Sequence, residues 1–458
     1  MVTKSLSYVD GTSKDAVGHL DSPPKITAIH KFINRMSLAQ NLIVPPDTTD
    51  VFTMSQWQFR RRWMDKKLRQ LESKPKIKPN EWHPVIREFR ELVEGDHILS
   101  KCCSRMFDNR PDTPPNDKDS QKSQVRDYIH MLELLNYILT RAPEWENNDM
   151  GQMGILPILA LVEWPMNTPA GRVVFSDSRV NAQLKKIFDV WAEYLSSSDS
   201  TYVLTEDDGW LRPGAITEDF GQTFICDTTH PHFGFKSWDD FFTRRLKPGV
   251  RPIAEPYDDS IITSACESFV VTFAHDVQTK DKFWLKGCPY NLQTMFNHDP
   301  LTQYFIGGTV YQGFIASTSY HRWHSPVNGV VTKIVHIPGT YYLQSPTLGF
   351  DTENGPDYYT PDHSQEFLSH SQTRLLVFIE SSNPEIGLMC VVTIGMVEVS
   401  TCEVTVREGT KVKKGDELGM FHFGGSTHCL VFRPQTKLAI GVEPGEGVKV
   451  NQEVARLL

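Results

Sequence analysis

The apolar residues of this 458-residue chain change their spacing near residue 255, and that change constrains the fold more than any other feature. Before it, apolar side chains recur every three or four residues, as on one face of an α-helix; the clearest set is Leu184, Ile187, Phe188, Trp191 and Leu195. After it, short β-branched runs between glycine, proline and asparagine are typical of strands; they include SFVVTF, GVVTKIVHI, LLVFIE and LMCVVTI. The sequence therefore predicts an α+β protein, with a helical N-terminal region followed by a β-rich domain.

We divide the chain into three predicted segments. Residues 1–27 are polar and mixed, and are expected to form a mobile tail. Residues 28–235 form the helical region, with helices expected at 82–93, where Pro84 lies in the first turn, and at 125–142. Residues 236–458 form the β-rich domain. Two polar stretches are expected to be long surface loops; they are 108–124 and 351–366.

Composition and charge exclude several classes of protein. With 39% hydrophobic and 22% charged residues, the chain is an ordinary globular one. It has 47 basic and 56 acidic residues, a net charge of -9, which argues against nucleic-acid binding. Eight cysteines without a CxxC pair indicate a reducing compartment, so we expect a cytoplasmic protein. No secretory signal is evident, and the longest apolar run, 153–162, is too short to span a membrane.

A locally basic stretch, rich in lysine and arginine, lies within residues 60–78. Its apolar side consists of Trp57, Trp63, Met64, Leu68 and Leu71. This pattern is typical of a solvated amphipathic helix. The alternative is a surface that contacts a membrane or another anionic partner.

A Gly424-Gly425-Ser426 sequence follows a run of short strands. Two glycines before a serine let the backbone adopt positive φ and leave the Gly425 carbonyl unshielded beside the Ser426 hydroxyl. Most such triplets are simple turns. The segment is not a P-loop, because no Gly-Lys-Ser/Thr follows.

Two histidines three residues apart form a second point of interest, His321 and His324 in YHRWHSPVNG. They could be structural, could act in acid/base chemistry, or could bind a metal, although no third ligand is evident and no metal site is predicted. Tyr320 and Trp323 flank them, and either line a substrate site or pack beneath the loop. Glu398 lies in an apolar run and faces either a pocket or a sheet edge.

Three ordered motifs resemble the phosphatidylserine decarboxylase family: SWDDFFTRRLKPGVRP at 237–252, YHRWHSPVNG at 320–329 and KKGDELGMFHFGGST at 413–427. Further segments, among them NTPAGRVVF, HIPGTYY and IGMVEVSTCE, resemble a subgroup of mushroom enzymes that act on an aromatic amino acid.

The resemblance implies a proenzyme that cleaves itself between Gly425 and Ser426. Ser426 becomes a pyruvoyl group, which serves as electron sink in place of pyridoxal phosphate. His324 matches the family's general base and His321 its second histidine, a candidate general acid. Glu267 stands where the family has the aspartate that orients the base, and is one methylene longer.

The resemblance also implies decarboxylation of an aromatic L-amino acid, with L-tryptophan to tryptamine as the leading reaction. The alternatives are a phosphatidylserine decarboxylase that makes phosphatidylethanolamine, and a catalytically silent member that acts as a binding protein. The expected partner is a small-molecule amino acid, without nucleic acid or a membrane span. The large and small chains are expected to stay associated, and the family suggests a homodimer.

Overall fold

The computed structural model describes residues 63–73, 77–108, 125–148, 151–279, 290–345, 364–398, 401–423 and 426–458. The predicted mobile tail, most of both predicted polar loops, and Gly424 and Gly425 lie outside these residues. The α+β class predicted from the sequence is confirmed, with helices in the N-terminal half and strands in the C-terminal half.

Short helices make up the N-terminal region. Aspartate side chains cap three of them by accepting hydrogen bonds from the first backbone N–H groups: Asp96, Asp127 and Asp177. The helices are α1 Pro84–Glu94, α2 His97–Arg105, α3 Tyr128–Ile138, α4 Pro157–Val162, α5 Pro169–Ser176, α6 Ser178–Leu195, α7 Phe220–Thr223 and α8 Trp238–Phe242. Short 3-10 helices lie at Pro79–Glu81, Pro165–Asn167, Ser198–Val203 and Pro231–Gly234.

The predicted apolar stripe lies along α6, and all five of its side chains are buried. Helix α1 begins at Pro84, as the proline in the first turn predicts, because proline lacks the N–H that the first turn cannot use. Helix α3 falls within the predicted span 125–142 but is shorter at both ends.

The helical region contains one β-hairpin that the sequence did not predict. A β-hairpin, β1 Trp145–Asn148 and β2 Gly151–Gly154, interrupts the helices. Its sequence carries no β-branched residues, so the usual strand signal is missing. The indole of Trp145 packs edge-on against Trp210 at 5.0 Å, so this distant contact stabilises the hairpin.

Antiparallel strands dominate the C-terminal half. They are β3 Ile261–Thr263, β4 Ser268–Val277, β5 Gly308–Ile315, β6 Arg322–His324, β7 Gly329–Ile337, β8 Arg374–Ser381, β9 Leu388–Gly395, β10 Thr401–Val404, β11 Lys411–Val412, β12 Glu417–His422, β13 Ser426–Phe432, β14 Leu438–Ile440, β15 Gly447–Val448 and β16 Glu453–Leu457. Helices α9 Leu292–Met295 and α10 Gln365–Ser371 and the 3-10 turn Pro300–Phe305 complete this half.

Eight of these strands form one sheet in the order β11-β7-β8-β9-β13-β5-β4-β15. Two three-stranded sheets, β10-β12-β6 and β14-β16-β3, lie beside it. Strand β13 is in the interior of the large sheet, and its residues pair with β9 on one side and β5 on the other. All seven of its residues are buried.

The large sheet separates two apolar clusters because side chains alternate across a strand. Leu430 and Phe432 of β13 belong to the larger cluster, which also contains the buried side chains of the helices. Cys429 and Val431 belong to the smaller one, with α9 and the Pro300–Phe305 turn. The helical region therefore packs on the face of the sheet that carries the even-numbered side chains of β13.

The segment after β7 joins the helical region to the sheet. Tyr341 and Tyr342 lie against Phe188 of α6, with ring centroids 5.0 and 6.2 Å away. The Asn181 side chain accepts a hydrogen bond from the Tyr341 backbone N–H over 3.2 Å. The two predicted regions thus share one core, and the limits at 27 and 235 stay a prediction.

The described part of the basic stretch, 63–73, is helical through residue 72. Its Trp63, Met64 and Leu68 side chains are buried. Lys66 and Lys67 form ion pairs with Glu146 and Glu144, at 2.7 and 2.6 Å. These contacts agree with the amphipathic-helix interpretation, since the apolar side and two of the cations already have partners.

Candidate active site

Ser426 is the first residue of β13 and is fully buried. Its backbone is paired on both sides, with Ile315 of β5 and Gly395 of β9. Its Oγ has no hydrogen-bond partner among the residues that the structure describes. Buried hydroxyls normally have one, so this atom is a candidate for chemistry.

The turn before Ser426 is strained at its described end. Phe423 has a φ of 81°, in the left-handed region that side chains other than glycine rarely adopt. Such a conformation costs roughly 1–3 kcal/mol and persists only where the surroundings enforce it. The next two residues, including the predicted cleavage residue Gly425, lie outside the described part.

His422 anchors this turn from its N-terminal side. Its ring nitrogens lie 2.8 Å from Oδ1 of Asp239 and 3.0 Å from Oε2 of Glu403. Burial alone lowers the pKa of His422, but hydrogen bonding and charge from both carboxylates outweigh it and raise the pKa. Asp239 belongs to α8, so the motif at 237–252 is tied directly to the segment that precedes Ser426.

His324 ends β6 and has a partner for each ring nitrogen. Nδ1 lies 2.8 Å from the carbonyl oxygen of Gly415, and Nε2 lies 2.8 Å from the hydroxyl of Tyr320. A carbonyl only accepts, so Nδ1 carries the hydrogen and Nε2 holds the lone pair. Burial lowers the pKa of His324, so the imidazole is neutral at neutral pH and can act as a base.

The backbone of the segment that carries Glu267 lies beside His324, but the Glu267 carboxylate interacts with other side chains. The backbone N–H of His324 donates to the carbonyl of Ala265 over 2.8 Å, which brings the two segments together. The Glu267 carboxylate accepts a hydrogen bond from Nε of Arg251 and lies 3.5 Å from Nζ of Lys449. In the described residues the group that orients His324 is the Gly415 carbonyl, and the orienting role of Glu267 stays a prediction.

His321 is buried just before β6. Its ring stacks on Phe242 of α8, with centroids 3.8 Å apart and planes inclined by 22°. Its backbone carbonyl accepts a hydrogen bond from the N–H of Phe421 over 2.9 Å. Its predicted role as a general acid remains to be tested, and the stacking fixes the plane of the ring.

The two flanking aromatic residues differ in what they contact. Tyr320 reaches His324, and burial raises the pKa of its phenol, so it stays protonated. Trp323 is fully buried and lies on the opposite face of β6 from His324. It packs against Phe421 at 6.3 Å and fills the space above Gly419, where a β carbon would lie 2.3 Å from the indole. These contacts give Trp323 a packing role.

The sequence allowed two positions for Glu398, in a pocket or at a sheet edge. Its side chain is fully buried where it meets α4. Its carboxylate accepts hydrogen bonds from the N–H groups of Ile158 and Leu159, the shortest 3.0 Å, and from Tyr342 Oη at 3.1 Å. Burial raises its pKa to about 7.

The sequence did not predict the partners Gly415, Arg251 and Asp239. Gly415 lies inside the 413–427 motif, but it acts through a backbone carbonyl that any residue carries. Arg251 and Asp239 lie inside the 237–252 motif, so the motif itself was the available signal.

Comparison with known proteins identifies the family. The family model for phosphatidylserine decarboxylase matches residues 238–456, and a second model of the same description matches residues 83–218. The L-tryptophan decarboxylase of Psilocybe cubensis is 38% identical over 394 residues, which cover 81% of this chain and 86% of that protein. The chain belongs to the phosphatidylserine decarboxylase family.

Two further relatives extend the comparison. Decarboxylase iboD of Amanita muscaria is 43% identical over 321 residues, 66% of this chain and 91% of that protein. The phosphatidylserine decarboxylase proenzyme 3 of Schizosaccharomyces pombe is 33% identical over 204 residues, 44% of this chain and 19% of its own length. The resemblance stated from the motifs is confirmed, and so is the assignment of the decarboxylase to the carboxy-lyases.

Two features of the decarboxylase bear on partners and metals. Of the helices that the structure describes, none is long and apolar enough to cross a membrane. Across the same residues, no group of three or more histidine, cysteine, aspartate or glutamate side chains is arranged to hold a metal ion.

Proposed function

We propose that this decarboxylase cleaves itself between Gly425 and Ser426 and uses the resulting pyruvoyl group to decarboxylate an aromatic L-amino acid, with L-tryptophan to tryptamine as the leading reaction. The observation that carries the proposal is the buried, unpartnered Oγ of Ser426 at the start of an interior strand. It directly follows a segment with a strained residue, Phe423.

The surroundings of Ser426 suit a group made from the chain itself. The ladder to Ile315 and Gly395 holds residue 426 from both sides, so it stays in place when the bond before it breaks. The 426–458 segment also contributes β16, which lies between β14 and β3. This interleaving supports the expectation that the large and small chains stay associated.

His324 is the proposed base for cleavage. Its Nε2 lone pair takes the proton from Ser426 Oγ, Oγ attacks the Gly425 carbonyl carbon, and the peptide C–N bond breaks as the proton passes to the Ser426 nitrogen. The resulting ester eliminates the Gly425 carboxylate, with loss of the Ser426 α proton. Water then replaces the nitrogen of the dehydroalanine, which releases ammonia and leaves the pyruvoyl group. The Gly415 carbonyl holds the ring in the tautomer that this step needs. Tyr320 occupies the lone pair in the uncut chain and must release it.

In decarboxylation, the pyruvoyl carbonyl supplies the electron sink that stabilises the carbanion left by loss of carbon dioxide. His321 is the proposed donor of the proton that this carbon then receives, because an imidazole exchanges protons near neutral pH. Stacking on Phe242 fixes the plane of its ring.

The coverage of the relatives favours an amino acid over a phospholipid. The two Psilocybe proteins named L-tryptophan decarboxylase align along 81% of this chain, whereas the phosphatidylserine decarboxylase proenzymes align along about 43–46%. Phosphatidylserine remains the alternative substrate, since the same carbanion chemistry serves it.

Intact mass spectrometry after reduction with cyanoborohydride tests the proposal, in parallel samples with L-tryptophan and with phosphatidylserine vesicles. We expect a small chain that begins at residue 426 and gains a mass derived from tryptophan or tryptamine. Ser426→Ala is the matched control and stays uncut. A lipid-derived adduct alone assigns the phospholipid reaction, and an uncut, unmodified wild-type chain favours a silent binding protein.

A further inference from the structure

His428 follows Ser426 by two residues on β13, so both side chains project from the same face of the sheet. It is fully buried and lies opposite Gly313 of β5. Two residues along a strand span about 6.7 Å, which is comparable to the reach from the α-amino group of tryptophan to its indole ring. A substrate attached at residue 426 can therefore reach His428.

The hydrogen bonding of His428 defines what it can recognise. Nδ1 lies 3.1 Å from the Gly313 carbonyl oxygen, so Nδ1 carries the hydrogen. Burial lowers the pKa of His428 to about 4, so the ring is neutral. Nε2 is then an acceptor, and within the described residues it has no partner.

Gly313 permits the close approach of His428 to strand β5. A β carbon at this position would lie 2.7 Å from Cε1 of His428 and 2.5 Å from Oγ of Ser268. A side chain at 313 would therefore clash with both polar groups and displace at least one of them. The glycine lets His428 and Ser268 lie close to strand β5 on the Ser426 face.

Two hydroxyls accompany His428 there. Ser268 of β4 borders Gly313, and the Tyr311 ring of β5 lies 5.7 Å from the His428 ring. The Tyr311 hydroxyl interacts with the side chains of Ser268 and Ser264. His428 Nε2, by contrast, is a buried acceptor without a partner among the described residues. Such an unpaired acceptor is unusual in a folded protein and indicates a polar ligand group that donates to it.

We propose that His428 determines substrate specificity by accepting a hydrogen bond, at Nε2, from the ring N–H of the substrate. This assignment rests on the proposed function and names the substrate class as aromatic amino acids whose ring carries a hydrogen-bond donor, such as an indole. Ser268 and Tyr311 complete the polar side of the ring site. A substrate without the donor leaves the buried acceptor unpaired and is rejected for that reason.

Calorimetric binding of two amine-free ligands tests the proposal, because neither can react covalently. Indole-3-propionate carries the ring N–H, and the benzothiophene analogue replaces it with sulfur. We expect wild-type protein to bind the indole about tenfold more tightly. His428→Leu should reduce this ratio to about one, whereas His428→Gln, which keeps an acceptor, should retain part of it.

His370→Gln is the matched control, since burial also lowers the pKa of His370 to about 4, but this histidine belongs to α10 and not to β13. The ratio of the affinities for indole-3-propionate and its benzothiophene analogue should be the same in this variant as in wild type. Equal affinities of wild-type protein for the two ligands would overturn the role of His428, and so would an unchanged ratio in His428→Leu. Should that variant fail to fold, the wild-type comparison decides alone.

Cleavage at Ser426 is measured in the same samples and separates the two proposals. An uncut chain contradicts the proposed function, and the binding ratio still decides the role of His428. A cut chain that decarboxylates L-tryptophan but shows no preference for the N–H refutes only the role of His428. The kcat/KM ratio for L-tryptophan and its benzothiophene analogue should follow the binding ratio.

Discussion

The Tyr320 hydroxyl donates a hydrogen bond to Nε2 of His324 over 2.8 Å, so the phenol occupies the lone pair that the proposed base requires. Since the Gly415 carbonyl fixes the other ring nitrogen, Tyr320 is not needed to orient the imidazole. The phenol therefore restrains the base in the uncut chain.

We expect Tyr320→Phe to cleave itself at a rate within about tenfold of wild type, because the loss of one hydrogen bond leaves the base intact. His324→Ala should remain uncut. Cleavage is followed on denaturing gels from a freshly translated chain. A loss of more than a hundredfold in Tyr320→Phe would instead show that the phenol relays the proton.

The rate of self-cleavage should depend on pH through His324. Burial lowers the pKa of this histidine from its ordinary 6.5, so the neutral base is present at pH 7 and is lost only in acid. We expect a constant rate from pH 8 to pH 7 and a fall whose midpoint lies below pH 6.5. A midpoint above 6.5 would point to a different base.

Glu267 and Arg251 test whether the glutamate orients the base or holds a loop. The two side chains are about 11% and 17% exposed, so the pair is largely buried. Loss of either partner should destabilise the fold by about 1–3 kcal/mol, less than for a fully buried pair. Thermal denaturation of Glu267→Gln, Arg251→Met and the double variant measures this in a mutant cycle.

If the pair is structural, the two single variants should slow cleavage by similar factors. If Glu267 assists His324, Glu267→Gln should slow cleavage far more than Arg251→Met does. Glu267→Asp then becomes informative, because it restores the family's residue, and it should cleave at least as fast as wild type.

Glu398 should make the stability of the fold fall as pH rises. Burial raises its pKa to about 7 in the folded chain from 4.5, so between these values the folded state keeps a proton that the unfolded state has released. The contribution of protonated Glu398 to the free energy of unfolding is fully present below pH 4.5 and is lost as the pH rises toward 7. Glu398→Gln should gain about 2 kcal/mol on wild type between pH 5 and pH 8.

Denaturant unfolding at both pH values measures this difference. Glu163→Gln is a suitable control, since Glu163 is also buried and follows α4. A difference between Glu398→Gln and wild type that does not change with pH would mean that Glu398 is ionised in the fold.

The sequence predicted the features that depend on the spacing of apolar side chains and on recognisable motifs. The apolar stripe on α6 is confirmed, because five apolar side chains three or four residues apart lie on one face of a helix and are buried together. Ser426 and His324 were named because the motifs carry those residue types. Their roles stay predictions, and the structure adds the burial and tautomer that make the chemistry reasonable.

The contacts that sequence could not predict are those made by backbone or over long separation. The Gly415 carbonyl leaves no residue-type signal. Glu398 binds the N–H groups of Ile158 and Leu159, about 240 positions away in the chain. The hairpin of β1 and β2 contacts a distant indole, Trp210, whereas its own residues apart from Trp145 are poor strand formers.

The position of β13 between β9 and β5 fixes the order of folding and the proposed self-cleavage. The strand has to be laid into the sheet while it is still joined to residue 425, because a free 33-residue peptide would have to enter a ladder already closed on both sides. In the proposed function, folding thus comes before the cut between Gly425 and Ser426. Two pieces of a cut and unfolded chain would meet again only by collision, so heat inactivation of the cut protein should be irreversible and governed by its unfolding rate.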